Sequence, residues 1–431
     1  MSGSIRVLVA SVFPARIRLA SVYRASILLA SGLFLAACAQ ATSLAPSPTA
    51  PPPTLTRLPP ALTAPPAGPT DTPAPTATEV SLFAPVTGAD WQIGPGNAAV
   101  TLLVYDDFQC AYCAALEPVL AQLRTEFPDD VRLVFRQYPL PQDDKARLAA
   151  AAAEAAGAQG KFWEMHDMLF AHQADWLSLP PADFRNVLDQ YALSLGLEAA
   201  RFHADLDSPA TAAKLDQAYR TAVNIPVPGT PFVLFNGAPF QDQGLTNHWA
   251  LSNLVRLEKL KARQFHAPPP DIIDPFKSYV ATIKTARGDI IVQLFADKTP
   301  LTVNSFVFLA QHGWYDGVTF HRVITDFAAQ TGDPSGTGYG GPGYFIPDEI
   351  VPELKYDAPG WVGMSNAGPN TNGIQFFISL AALPQFNGRY TLFGKVVSGM
   401  DVAQKLSPRD PNQNAEPPPG DRIETITIEE K

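Results

Sequence analysis

Thr101-Leu102-Leu103-Val104-Tyr105-Asp106-Asp107-Phe108-Gln109-Cys110-Ala111-Tyr112-Cys113 is the stretch on which the reading of the first half of the chain turns. Its first five residues form a strand-like apolar run. Beyond it, Leu116, Val119, Leu120, Leu123 and Phe127 recur at helical spacing. A Cys-x-x-Cys at such a strand-to-helix junction puts the first sulfur at the positive end of a helix dipole, where unpaired N–H groups favour a thiolate. Cys110 is therefore expected to be the more acidic and more exposed thiol. Cys113, one turn further in, is placed to resolve a mixed disulfide on Cys110. Two alternatives stand beside a redox pair: an inert structural bridge, and half of a metal site. The metal reading needs two more ligands; the nearest histidines, His166 and His172, do not share a helical face.

The chain has 431 residues, enough for two cores plus unstructured segments. A net charge of −10 with scattered Lys and Arg argues against a nucleic-acid surface. Residues 1–37 hold four arginines, no acid, and an apolar run from Ile27 to Ala37, the pattern of a secretory signal peptide. Leu35-Ala36-Ala37-Cys38 resembles the bacterial lipoprotein box, which implies acylation of Cys38 and an extracytoplasmic protein held to a membrane by lipid. An uncleaved anchor is the alternative, though the run is short against the ~20 residues of a span. Residues 38–88 are rich in Pro, Ala, Thr and Ser, cannot bury a core, and are expected to form a disordered, extended tether.

A first folded domain is expected over 89–264. After the cysteine helix come a turn at Pro128-Asp129-Asp130, a strand at Val131–Arg136, and a long alanine-rich helical region. Thr230-Pro231 then precedes an apolar strand closed by Asn236-Gly237, a hairpin turn. This order, with Asp107-Phe108-Gln109-Cys110 and Gly160-Lys161-Phe162-Trp163, resembles the DsbA-like branch of the thioredoxin superfamily: an α/β thioredoxin-like fold with a helical insert. The resemblance implies that the Thr230–Pro231 bond is cis, faces the cysteines, and offers backbone to a substrate peptide. One departure stands out. Relatives commonly carry a buried carboxylate six residues before the first cysteine, where this chain has Val104. Asp106 and Asp107 are near in sequence, with an orientation the sequence does not give, so the expected consequence is slower release of the mixed disulfide or a water that relays the proton.

A short stiff linker is expected over 265–277, and a second domain over 278–431. Val280–Thr285 and Ile290–Phe295 flank Ala286-Arg287-Gly288-Asp289, a hairpin. Thr299-Pro300 opens a helix with N-cap and N1 chemistry; Val303, Phe306, Val307 and Ala310 form its buried stripe and Gly313 stops it. Two long blocks follow, Phe320-His321-Arg322-Val323-Ile324-Thr325-Asp326-Phe327-Ala328-Ala329-Gln330-Thr331-Gly332-Asp333-Pro334 and Gly363-Met364-Ser365-Asn366 through Gln375-Phe376-Phe377-Ile378. They resemble cyclophilin, which implies a closed eight-stranded antiparallel barrel with a helix over each end, needing neither cofactor nor metal. By that resemblance Arg322 is the catalytic donor. Gln330 and Asn366 position substrate backbone, and Ser365 and Gln375 line the groove. Phe327, Phe377 and Phe386 wall a proline pocket with Tyr390 beside them. Ala328, Gln385 and Tyr390 depart from the common pattern, which implies a roomier pocket. His321 is expected to point to the other face of its strand, in a structural role.

The combined expectation is an extracytoplasmic, membrane-tethered folding factor that is both a thiol-disulfide oxidoreductase and a peptidyl-prolyl isomerase. Its partners would be unfolded or partly folded secreted proteins and a membrane redox partner. The alternative is a tethered holdase or scaffold whose clefts bind extended peptides without efficient catalysis.

Overall fold

A computed structural model of the chain describes residues 83–225, 227–240, 245–414 and 417–431. The expected signal peptide, Cys38 and the tether as far as residue 82 lie outside the described residues. The last few tether residues do not run free. Phe83 and Val86 pack against the first domain, and Arg136 donates to the carbonyls of Ala84 (3.1 Å) and Pro85 (3.0 Å).

The first domain is a five-stranded sheet of β1 (Trp91–Ile93), β2 (Val100–Asp106), β3 (Val131–Gln137), β4 (Phe232–Phe235) and β5 (Ala238–Pro239), in the order β1-β3-β2-β4-β5. Only β2 and β3 run parallel. Helix α1 (Ala111–Glu126) follows β2 directly. Six helices stand between β3 and β4: α2 (Ala146–Gly157), α3 (Phe162–Ala171), α4 (Gln173–Trp176), α5 (Pro181–Ser194), α6 (Ala199–Leu206) and α7 (Pro209–Asn224). Helix α8 (His248–Lys261) closes the domain, capped at Asn247, whose side chain accepts from Ala250 N.

Strand β2 is apolar from Leu102 to Val104 because both of its faces are covered. Leu102 and Val104 pack with Leu116, Leu120 and Leu123 of α1 and Leu251 and Val255 of α8. Leu103 and Tyr105 pack on the opposite side with Ala222 and Val227. Because side chains alternate along a strand, Asp106 belongs to the face of Val104, toward α1.

The second domain contains β6 (Tyr279–Thr285), β7 (Gly288–Leu294), α9 (Pro300–Gln311), β8 (Arg322–Ile324), β9 (Ala328–Thr331), β10 (Trp361–Met364), β11 (Phe376–Ser379), β12 (Leu392–Ser398), α10 (Met400–Gln404) and β13 (Ile423–Glu430). Its eight antiparallel strands run β13-β6-β7-β12-β10-β11-β9-β8. The expectation of a closed barrel is corrected: the sheet is a curled half-barrel whose edges, β13 and β8, form no ladder with each other. Strand β8 is three residues long, and a loop takes its outer edge: Val323 exchanges hydrogen bonds with Arg409 at 2.7 and 2.8 Å. On the side away from β6, the start of β13 meets the segment before β8: Ile423 bonds Gly317 and Val318 at 2.8 Å, and the preceding Arg422 bridges Thr319.

The helix expected at Thr299-Pro300 is α9, and its stripe of Val303, Phe306, Val307 and Ala310 is buried. Its cap differs from expectation. Thr299 makes no side-chain cap bond; Glu349 instead accepts from the N–H groups of Leu301 (3.1 Å) and Thr302 (2.8 Å). Carboxylate charge at a helix N-terminus is favourable wherever in the sequence it comes from.

The linker is strapped down. Phe265 packs against Phe308, Trp314 and Tyr344. Asn304 donates to Pro270 O at 2.9 Å and accepts from Ile272 N at 2.8 Å. Leu260, at the end of α8, is buried in the core of the second domain.

Candidate functional sites

Cys110 is the N-cap of α1, and its sulfur accepts from Cys113 N at 3.3 Å. Its thiol also reaches the carbonyl of Thr230 at 3.4 Å, and the Thr230–Pro231 bond is cis. The two halves of the sequence motif, 120 residues apart, thus form one site. Both cysteines are free thiols; Cys110 is half-buried and Cys113 fully buried. The Cys113 thiol hydrogen-bonds to Cys110, and with Thr230 and the local N–H groups it pulls the Cys110 thiol down to about 6 against opposing burial. Cys113 is pushed far up, first by burial and then by its bond to Cys110. One sulfur is thus a thiolate near neutrality and the other a thiol.

Val104 does leave its position without a carboxylate, but Asp106 supplies one two residues further along the same strand face. It is fully buried: its Oδ1 accepts from Asp107 N at 2.9 Å, while its Oδ2 has no hydrogen-bond partner among the described residues. Burial pushes its carboxyl up to about 7, opposed by the neighbouring Cys113 thiol and by the bond from Asp107 N. Asp107 serves the local backbone instead. It accepts from Gln109 N (2.8 Å) and Leu140 N (2.7 Å) and so ties the active-site turn to the loop after β3. Gln173, which sequence reasoning did not single out, donates to the carbonyls of Phe108 (2.8 Å) and Cys110 (3.0 Å) and holds the start of α1. Tyr112 is 76% exposed beside Cys110, an apolar surface for a docking chain. Among the described residues no group of three or more His, Cys, Asp or Glu is placed to hold a metal ion.

The second site lies on β8, β9 and β11. Arg322 and Gln330 are paired across β8 and β9, and Gln330 is paired with Phe377 across β9 and β11. Gln330 donates to Ser365 Oγ and to Gln375 Oε1, both at 3.0 Å. Gln375 in turn donates to the carbonyls of Gly338 (2.9 Å) and Gly340 (3.1 Å), so a polar chain runs along the groove floor. Asn366 donates to Asp348 (3.2 Å) and Asn372 (3.1 Å). Phe386, on a single turn at Pro384–Phe386, packs edge-on to Phe327 (5.6 Å) and Phe377 (5.4 Å), with Tyr390 at 4.7 Å. Ala328, Tyr356 and Leu383 back these rings.

The structure thus gathers Arg322, Phe327, Gln330, Ser365, Gln375, Phe377, Phe386 and Tyr390, with Asn366 following Ser365. What sequence reasoning missed is Asp410, whose Oδ1 lies 3.2 Å from Arg322 Nε. Asp410 is 88 residues from Arg322 and belongs to the loop that covers β8, so no local spacing could have revealed it. His321 is buried, and neither ring nitrogen has a hydrogen-bond partner. Burial holds it down to about 4, a neutral core imidazole.

One site is an acidic sulfur beside the half-buried backbone that leads into β4, and the other a guanidinium near a cluster of aromatic rings. Residues 280–428 match the family described as cyclophilin type peptidyl-prolyl cis-trans isomerase/CLD, and residues 87–249 match thioredoxin. Peptidyl-prolyl cis-trans isomerase A of Mycobacterium tuberculosis is 43% identical over 171 residues, covering 36% of this chain and 94% of the relative. An isomerase of Schizosaccharomyces pombe is 46% identical over 127 residues, covering 29% of this chain and 82% of its own. A solved cyclophilin-type isomerase from Cryptosporidium parvum is 38% identical, covers 36% of this chain and 98% of that one, and superposes with a TM-score of 0.33. The chain therefore belongs to the cyclophilin-type peptidyl-prolyl cis-trans isomerase family, and joins a thioredoxin-like domain to its cyclophilin domain.

Proposed function

We propose that the protein is a folding factor with two active centres: Arg322 accelerates prolyl isomerisation, and Cys110 with Cys113 exchanges disulfides. Rotation about a peptide bond costs about 18–20 kcal/mol because the C–N bond has partial double character. A donor aimed at the prolyl nitrogen localises its lone pair, and it does so most strongly in the twisted transition state. Arg322 suits this role because guanidinium is always charged and carries rigid donors. Its Nε is held by Asp410, so the terminal nitrogens are left to face the substrate. Phe327, Phe377 and Phe386 take the proline ring, while Gln330 and Asn366 hold the flanking backbone.

In the thiol site the Cys110 thiolate attacks a client disulfide, forming a mixed disulfide and releasing one client thiolate. Cys113 then gives its proton to the Asp106 carboxylate and attacks the Cys110 sulfur. The second client thiolate leaves, and the protein holds a Cys110–Cys113 disulfide. Run backwards, the same steps oxidise a client. The observation that supports this half is the contact of Cys110 with the carbonyl of Thr230, 3.4 Å away and next to the cis Thr230–Pro231 bond. The binding-only alternative draws on Val104 and Ala328, and Asp106 weakens the first of these supports. We place the protein outside the cytoplasm, tethered through Cys38, with secreted chains as clients and a membrane protein as redox partner; the supporting feature is the N-terminal sequence alone.

Two assays test the reading. Arg322→Ala should slow isomerisation of a proline peptide by about 10²-fold or more, the usual cost of one positioned donor. Cys110→Ser should abolish exchange with a model disulfide. A wild type no faster than these variants would leave only the binding reading.

A further inference from the structure

Beneath the thiol site, titratable groups continue past Asp106 to Glu117, whose side chain is 14% exposed, and to the buried His166. Glu117 lies one helical turn beyond Cys113 on α1, so the two share a face. Its Oε2 is 3.7 Å from Nε2 of His166 on α3, one small side-chain rotation from the ~3 Å of a hydrogen bond. His166 is buried, and its Nδ1 is 2.9 Å from Oδ1 of Asp167, which is exposed to solvent. We infer that Glu117, His166 and Asp167 form a proton relay joining the buried Asp106–Cys113 pair to solvent. The inference rests on the redox reading of that pair.

The tautomer follows from the contacts. The 2.9 Å contact with an oxygen of exposed Asp167 suits a hydrogen on Nδ1, which leaves Nε2 as an acceptor toward Glu117. Burial, then the charges of Asp106 and Asp167, push the Glu117 carboxyl well up, so it carries a hydrogen for Nε2. Burial likewise holds His166 neutral against the pull of Asp167. The charged or titratable neighbours are Asp106 and Asp107 on and after β2, Cys110, Cys113 and Arg124 along α1, and Asp167 on α3.

A carboxylic acid and an imidazole can each accept a proton on one atom and release one from another. When Cys113 loses its proton to Asp106, the proposed relay carries it on to Glu117, whose carboxyl feels the Asp106 charge. The hydrogen on Oε2 moves to His166 Nε2, that on Nδ1 moves to Asp167, and Asp167 releases it to water. One proton enters and one leaves. His166 also fits a purely structural role, since Phe108, Phe135, Trp163 and Phe170 ring it. The test must separate the two.

Single-turnover mixing of the full chain with a model disulfide, from pH 5.5 to 8.5 in water and heavy water, reads formation and resolution of the mixed disulfide separately. His166→Phe keeps an aromatic ring in the cage and Glu117→Gln keeps shape. Each should slow resolution by roughly tenfold to a hundredfold, the range of a lost proton-transfer group. Their alkylation of Cys110 should follow the wild-type pH profile. Exposed Asp167→Asn, which does not threaten folding, should slow resolution in the same direction by a smaller factor. Resolution within twofold of wild type in Asp167→Asn and in whichever core variant folds would overturn the relay alone. A wild type that forms no mixed disulfide would overturn the redox reading, and the relay with it.

Discussion

The sulfur of Cys110 and the carboxyl of Asp106 have opposite departures from their ordinary acidities, and both can be measured. Iodoacetamide should modify Cys110 with a midpoint near pH 6, since hydrogen bonds from Cys113 and its neighbours hold the thiol at about 6. A midpoint near 9 would mean that those bonds do not form. For Asp106, the folded carboxyl keeps its proton up to about 7, whereas the unfolded one loses it near 3.8. Stability of the reduced domain is then undiminished below the unfolded value, falls as pH rises through the interval, and bears the full penalty above the folded value. Asp106→Asn should accordingly raise the urea-unfolding free energy at pH 8 by at most ~4 kcal/mol, and leave it unchanged near pH 3. At this scale the cysteines and Arg322 were legible because short motifs carry them. Asp106 was not assigned, although strand alternation puts positions 104 and 106 on one face. Asp410 was beyond reach because a distant loop brings it.

Elements were legible where local chemistry governs them. Strand β2, helix α1 and the β6–β7 hairpin follow from apolar period and turn residues. The source of the α9 cap did not, because Glu349 arrives from elsewhere in the fold. The closed barrel failed for a related reason: whether two edge strands meet depends on what covers each edge, and Arg409 covers β8. Strand β10 offers a sharp test of packing behind the proline pocket. A Cβ at Gly363 would sit 2.0 Å from Tyr356 Oη and 2.8 Å from Phe377 Cζ. Gly363→Ala should therefore cost about 1–3 kcal/mol in thermal or urea unfolding, the usual range for overpacking. It should also reduce prolyl isomerisation, because Phe377 must move, while leaving Cys110 alkylation unaltered. An unchanged melting temperature would show that Phe377 and Tyr356 are not held as described.

At the scale of the molecule, sequence composition marked two domains but presented the segment between them as a plain spacer. In the fold it is fastened by Phe265 and by Asn304, contacts that no linker composition announces. A fastened linker fixes the separation of two sites that can serve the same client, which raises the local concentration of a chain released by one near the other. Inserting a Gly/Ser segment within residues 266–275 should lower the yield of refolding that needs both activities, with each activity unchanged on its own substrate. An unchanged yield would show that the two sites work independently.

Prolyl isomerisation and disulfide rearrangement are both slow steps, lasting roughly seconds to hours. A reduced client with one native disulfide and one native cis-proline therefore shows both in a single refolding trace. With wild-type protein and a redox buffer of a small thiol and its disulfide, the latter serving as oxidant, both slow phases should shorten. Cys110→Ser should restore only the disulfide phase, and Arg322→Ala only the prolyl phase. Wild-type traces that superimpose on uncatalysed refolding, or a single variant that restores both phases, would contradict two centres on one chain.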